Sequence, residues 1–236
     1  MTPHDELRAT VATACRILGA RRLVDGVLGH VSARVGDNQM LLRCRGQSER
    51  GVARTEPADV RLVDLRGQHQ EASDGWAVPK EWPIHASLYQ ARPEVGAVVH
   101  AHPLAAVICS LAGLEPRPVF GSYNMPALRM ALAGVPTYPR AILISRPELA
   151  AEMLDAMGDS QVCVLYGHGI TAVGQTVEQA TVAALNLSEL LSITVTLAQL
   201  GASPAPLPAA DVAELPDLGS RFNDQLTWQS LVAELD

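Results

Sequence analysis

Three short β-rich segments follow one another with no helical pattern between them. Residues 29–35 (GHVSARV), 40–43 (MLLR) and 60–65 (VRLVDL) are aliphatic or β-branched and bounded by Gly, Asp or Asn turns. Strands joined without a crossover helix pair antiparallel, so the N-terminal part of any sheet here is an antiparallel meander. Elsewhere strands and helices alternate. Residues 5–18 place Leu7, Val11, Ala14, Cys15 and Leu18 at three- and four-residue steps before Gly19, a helix with a glycine stop. After a loop ending at Pro79, residues 81–91 carry Ile84, Leu88 and Ala91 on one stripe, and 94–100 form an apolar strand ending in His100. Residues 103–114 read as a helix, 161–166 as a strand, 169–173 as its continuation after a break, and 176–200 as a long helix. The expected fold class is α/β, with a mixed, largely antiparallel central sheet flanked by helices rather than a doubly wound parallel one. Because only 4% of residues are aromatic, Ala, Val, Leu and Ile must build the core.

A chain of 236 residues can form one large domain, and we read a single domain over 1–236, with 201–236 a Pro/Ala-rich C-terminal extension that wraps the surface or a neighbouring subunit. The formal charge is −7 and no dense Lys/Arg block is present, which argues against nucleic acid. Lys80 is the sole lysine, so an anion site would rely on planar, bidentate arginines. Cys15, Cys44, Cys109 and Cys163 show no CxxC spacing and follow no signal peptide. They read as reduced buried thiols in a cytoplasmic protein. The apolar runs 96–99 and 104–114 are too short to span a bilayer, and no membrane role is expected. Gly26-Val27-Leu28-Gly29 lacks the third glycine of a dinucleotide fingerprint and precedes a strand.

Chemistry concentrates in three places. In His100-Ala101-His102 two imidazoles two residues apart project to one face of extended backbone, which suits two ligands on one ion. In Tyr166-Gly167-His168-Gly169 glycines on both sides let the backbone approach closely and turn a third imidazole into a pocket. Glu81 opens a helix, with His85 at i+4 on the same side; its carboxylate can serve as a fourth ligand or a proton carrier. Each feature alone also fits a packed histidine or an acidic first helical turn. Together they fit one divalent transition metal per subunit, and Zn, Mn, Fe or Co all accept such donors.

The set Glu81-Trp82-Pro83-Ile84-His85-Ala86-Ser87-Leu88-Tyr89, then Pro93 to His102-Pro103, then His168-Gly169, with Gly29-His30-Val31-Ser32 near the N-terminus, resembles the class II aldolase/adducin family from the first helix to about Leu200. The resemblance implies a mixed sheet between helices, a metal held by His100, His102 and His168, and Glu81 as acid/base and occasional fourth ligand. It also implies homotetramers with active sites at subunit interfaces. The family includes sugar-phosphate aldolases, decarboxylases of hydroxylated aromatic dicarboxylates and metal-free adducin heads; a complete metal set favours an enzyme over an adducin-like binding domain. The phosphate-holding residues of the aldolases are replaced: Gly29-His30 stands for Gly-Asn, Arg45-Gly46 lies near the Thr-Gly turn, and Pro79-Lys80 stands for Ser-Ser.

In their place stands Arg43-Cys44-Arg45-Gly46, with Arg50 in the following loop, most like the 3,4-dihydroxyphthalate-type decarboxylase branch. Arg43 and Arg45 project together if the strand continues, and guanidinium groups grip carboxylates bidentately; a solvated, charged strand face is the plainer alternative. The expectation is a metal-dependent carbon–carbon lyase acting on a small-molecule anionic substrate. Arg43, Arg45, Arg50, Lys80, Gly29 and Ser32 would meet that substrate, and Glu81, His85 or His30 would carry the proton.

Overall fold

A computed structural model describes residues 4–73 and 75–235. Its helices are α1 (Asp5–Ala20), α2 (Trp82–Ala91), α3 (Leu104–Leu111), α4 (Met125–Ala133), α5 (Pro147–Met157), α6 (Val177–Gln199), α7 (Ala209–Glu214) and α8 (Thr227–Ala233). The strands are β1 (His30–Val35), β2 (Gln39–Arg43), β3 (Val60–Asp64), β4 (Ala97–Ala101), β5 (Thr137–Tyr138), β6 (Val162–Leu165) and β7 (Gly169–Gly174). They form one sheet in the order β3-β2-β1-β4-β7-β6-β5. Every neighbouring pair is antiparallel except β5 with β6, so the mixed, largely antiparallel sheet flanked by helices is the fold.

Strand alternation sends side chains to two apolar layers. Val31, Ala33, Leu41, Val99, Ala101, Ile170 and Ala172 face the layer with α1 and α6, including Val11, Leu18, Ala180 and Leu187. Met40, Leu42, Val98, Cys163 and Val173 face the layer with α2 and α5, including Ile84, Leu88 and Met153. By the same period of two, His30, Ser32 and His100 belong to the α2 side. The register places His30 opposite His100 and Ser32 opposite Val98, so three polar side chains are committed to the buried floor beneath α2.

Gly19 does not end α1, which runs on to Ala20. A Cβ at Gly19 would lie 2.3 Å from the Cβ of Ala53; the glycine admits the short helical turn Val52–Arg54 against the helix. Residues 169–173 are not a continuation of the preceding strand either. β6 and β7 are an antiparallel hairpin, and Tyr166, Gly167 and His168 form its turn, closed by the His168 amide on the Leu165 carbonyl at 3.0 Å. Gly167 adopts φ +59 there, a conformation glycine tolerates without strain.

Residues 115–160, which gave no sequence signal used above, hold α4, β5 and α5. α4 is capped by the Asn124 side chain accepting from the Ala127 amide and α5 starts at Pro147, both ordinary helix openings. α6 is long and apolar enough to cross a membrane by length and composition, unlike the shorter runs weighed above. Here Val177, Ala180, Leu187, Leu190 and Val195 are buried along it, and it packs on β7, β4 and α3. Within residues 201–236, α8 returns to the same chain: Trp228 and Leu231 pack with Ile17 and Val182.

Candidate metal centre

Five of the seven histidines gather where β1, β4, the β6–β7 turn and the N-terminus of α2 converge, with successive ring centroids 4.7 to 5.0 Å apart. Glu81 is the residue before the first turn of α2, placed by the Pro79 carbonyl accepting from the Trp82 amide at 3.1 Å. His100 is the penultimate residue of the fully buried β4, and His102, two residues on, keeps the same side. His168 enters from the hairpin turn.

Donor atoms of Glu81, His100, His102 and His168 all lie within 4.8 Å of one another. The Nε2 atoms of His100 and His102 are 2.8 Å apart. Glu81 Oε2 lies 3.3 Å from His100 Nε2 and its Oε1 3.6 Å from His168 Nε2, while Oε1 also accepts from the Ile144 amide at 3.1 Å.

These four residues fit a metal on the chemistry of the donors. His100 Nδ1 is 3.0 Å from the Ile170 carbonyl, an acceptor that fixes the hydrogen on Nδ1 and leaves Nε2 as a bare lone pair facing the cluster, the arrangement typical of a metal-ligating imidazole. A carboxylate and three imidazole nitrogens pointing at one spot are mutually repulsive until a cation sits among them. With no ion among them, protons on the His100 and His168 imidazoles would take that cationic part: burial pushes the Glu81 carboxyl up, and imidazoles so protonated hold it well below the usual carboxylate range. Burial, aided by His100 and His168, lowers His102 to about 3, so its ring is neutral and ready to coordinate.

Glycine makes the close assembly possible. A Cβ on Gly169 would lie 2.3 Å from the Ala101 carbonyl oxygen and 2.7 Å from Cδ2 of His102. Gly29, at φ +93, would place one 2.6 Å from Val24 Cγ1 and 3.1 Å from the His100 carbonyl.

A cleft of about 510 Å³ opens onto the cluster, lined by Leu28, Gly29, His30, Arg45, Pro79, Lys80, Glu81, His102, Leu143, Gly167 and His168. A larger cavity of about 640 Å³ between α4, α6 and residues 217–224 has no such donor group among the described residues. Of the candidate substrate residues, the structure brings Gly29, Arg45 and Lys80 to the cleft, together with His30. It does not bring Arg43, Arg50, Ser32 or His85. Arg43 is only 2% exposed and pairs with Glu49, whose carboxylate also accepts from the Gly51 amide at 2.7 Å. That pair pins the loop that follows β2. Arg50 points elsewhere, exposed and paired with Glu56 at 2.7 Å. Arg45 instead is held across an isolated bridge to Ala77, and its Nη2 donates to the Val27 carbonyl at 3.1 Å.

Ser32 and His85 lie behind the cleft in a buried chain. His30 Nδ1 is 2.7 Å from His85 Nε2, His85 Nδ1 is 2.6 Å from Ser32 Oγ, and Ser32 Oγ is 2.7 Å from the Tyr89 hydroxyl. Desolvation, the largest cause, lowers His30 well below its ordinary value and His85 to about 3. Tyr89 was not among the sequence candidates. Its spacing held the signal, since Glu81, His85 and Tyr89 stand at i, i+4 and i+8 on one face of α2.

Comparison with known proteins places the chain in a family. Residues 9–195 match the family described as class II aldolase and adducin N-terminal domain. A protein of Arthrobacter keyseri named 3,4-dihydroxyphthalate decarboxylase is 46% identical over 98% of this chain and 95% of its own. One of the same name from Terrabacter sp. is 45% identical over 97% and 96%. Among solved structures, an aldolase II superfamily protein from Pseudomonas syringae superposes with a TM-score of 0.80 at 23% identity, covering 100% of this chain and 94% of that one.

Proposed function

Because this chain belongs to the class II aldolase and adducin family, we propose that it is a metal-dependent carboxy-lyase that removes carbon dioxide from a hydroxylated aromatic dicarboxylate of the 3,4-dihydroxyphthalate type. The observation that carries this reading is end-to-end similarity, near half identity, to proteins named for that reaction. Two cleft cations support it. Arg45 and Lys80 line the same space as Glu81, His102 and His168, and a dicarboxylate needs a cationic anchor for the carboxylate that stays.

His100, His102 and His168 would hold one Zn, Mn, Fe or Co ion, with Glu81 beside them. Such an ion supplies Lewis acidity that draws off the charge the ring gains as carbon dioxide leaves. The chain's own groups do the rest. Arg45 and Lys80 bind the retained carboxylate and fix the ring in the cleft. Glu81, ionised in the resting site, accepts the proton of the neighbouring phenol and returns it to the ring carbon that loses its carboxylate, so the proton count closes. Leu28, Leu143 and Pro79 add apolar surface to the cleft lining.

We also propose a homotetramer with the cleft at a subunit boundary. On α3 the exposed Leu104, Ile108 and Leu111, 70%, 36% and 57% accessible, recur at four- and three-residue steps, and Leu111 reaches Gly167 in the turn that carries His168. A second copy of the chain is the occupant that would cover this stripe. The four cysteines are free and buried, which fits a reducing cytoplasm.

Purified protein supplied with Mn, Fe, Co or Zn should release carbon dioxide from 3,4-dihydroxyphthalate and leave ketose phosphates uncleaved. Release of an aldehyde from a ketose phosphate without any decarboxylation would return the chain to the aldolases.

A further inference from the structure

The buried chain from Tyr89 to His30 has a direction. His85 and His30 are desolvated and carry one ring hydrogen each as neutral imidazoles. Suppose His30 Nδ1 donated to His85 Nε2. His85 Nδ1 would then donate to Ser32 Oγ, Ser32 to Tyr89, and the tyrosine hydrogen would have nowhere to go. Among the described residues Ser32 Oγ is the hydrogen-bond partner of the phenol oxygen, and no second acceptor takes that hydrogen. A buried hydroxyl left without an acceptor carries the full cost of desolvation. In the opposite direction every hydrogen is placed: Tyr89 donates to Ser32, Ser32 to His85 Nδ1, and His85 Nε2 to His30 Nδ1.

We propose that Tyr89, Ser32 and His85 are positioning residues that lock His30 in its Nε2–H tautomer, so that the ring presents a fixed N–H donor to a carboxylate oxygen of the substrate. His30 lines the cleft beside Arg45 and Lys80, and among the described residues its Nε2 has no hydrogen-bond partner. The chain ends inside the protein at Tyr89, 2% exposed, so it does not conduct protons to solvent; it sets which nitrogen carries one. A neutral donor adds orientation where two cations already supply charge. The ligand rests on the aromatic dicarboxylate reading above, whereas the direction of the chain does not.

The test uses the full-length zinc-loaded protein with ¹⁵N-labelled histidine and phthalate as an unreactive probe. Long-range proton–nitrogen spectra should show His30 protonated at Nε2 and bare at Nδ1, and Ser32→Ala should leave a mixture of both forms. Losing the lock halves the competent population, so Ser32→Ala should weaken phthalate binding about twofold in calorimetry and raise KM with kcat unchanged. In a His30→Gln background, whose amide donates without the lock, Ser32→Ala should have no effect on binding. His30→Leu should weaken phthalate about tenfold or more, with metal content checked in every variant. His30 protonated at Nδ1 would overturn the proposal, as would a Ser32→Ala effect that persists undiminished with His30→Gln. The expected tautomer in a protein that neither binds phthalate nor decarboxylates would overturn the assigned ligand and locate the fault in the substrate reading, not in the hydrogen-bond chain.

Discussion

Gly169→Ala tests whether the metal centre depends on backbone contact between the β6–β7 turn and the end of β4. The new methyl would lie 2.3 Å from the Ala101 carbonyl oxygen, where contacts of 3.4 Å and beyond are ordinary, so about 1.1 Å of separation must be found. The opposing atom is main chain at the Ala101–Ile170 pair of the ladder, and it has no rotamer by which to yield. Overpacking of this kind costs about 1–3 kcal/mol, and at this chain length each kcal/mol lowers Tm by about 2–4 °C. The displacement also moves His102, whose Cδ2 would sit 2.7 Å from the methyl, and losing ligand orientation weakens metal by roughly 10- to 100-fold. Thermal unfolding of metal-free protein and a zinc titration against a competing chelator read the two effects separately. A variant that melts within about 1 °C of the parent and binds zinc equally well would refute the argument that Gly169 holds the ligands in place.

Glu81→Gln should keep the fold and most of the metal, because an amide fills the same space, while turnover falls about a hundred- to ten-thousand-fold for want of a proton carrier; elemental analysis beside a carbon dioxide assay checks both. Arg45→Ala should raise KM by about ten- to a hundredfold, the loss of one charge-assisted contact, whereas Arg50→Ala should stay within about twofold because it lies outside the cleft. Equal effects of the two changes would remove Arg45 from the anion site. Sedimentation equilibrium should give four times the 25.1 kDa chain mass, and Leu104→Glu with Leu111→Glu should lower it; a monomeric parent protein would leave the α3 stripe unexplained by self-association.

Much of the site was legible because it obeys strand periodicity. The two-position steps from His100 to His102 and from His30 to Ser32 predict shared faces once a strand is recognised, and β1 to β3 announce themselves by composition. The hairpin turn at His168 was harder: apolar runs flank it on both sides, and glycine next to histidine marks a bulge as readily as a reversal. The three arginines show the limit of local reasoning. Arg43 and Arg45 have the spacing of neighbours on one face, but β2 ends at Arg43 and the chain folds back, giving Arg43 its partner in Glu49 and leaving Arg45 on the bridge to Ala77. Nothing in the order of residues states where a loop will return. Tyr89 is the opposite case, visible at helical spacing from His85 yet carrying no meaning until Ser32 is seen to lie beneath it.

The pairing of His30 with His100 across β1 and β4 also bears on how the chain finds its native state. Slipping β4 by one position would turn His100 into the apolar layer under α1 and α6 and bring Ala101 to the α2 side. Such a chain would turn His102 away together with His100 and have no complete donor set to offer. An ion that binds only the full set therefore stabilises the correctly registered sheet alone, and acts on the folding chain as a proofreader of strand alignment.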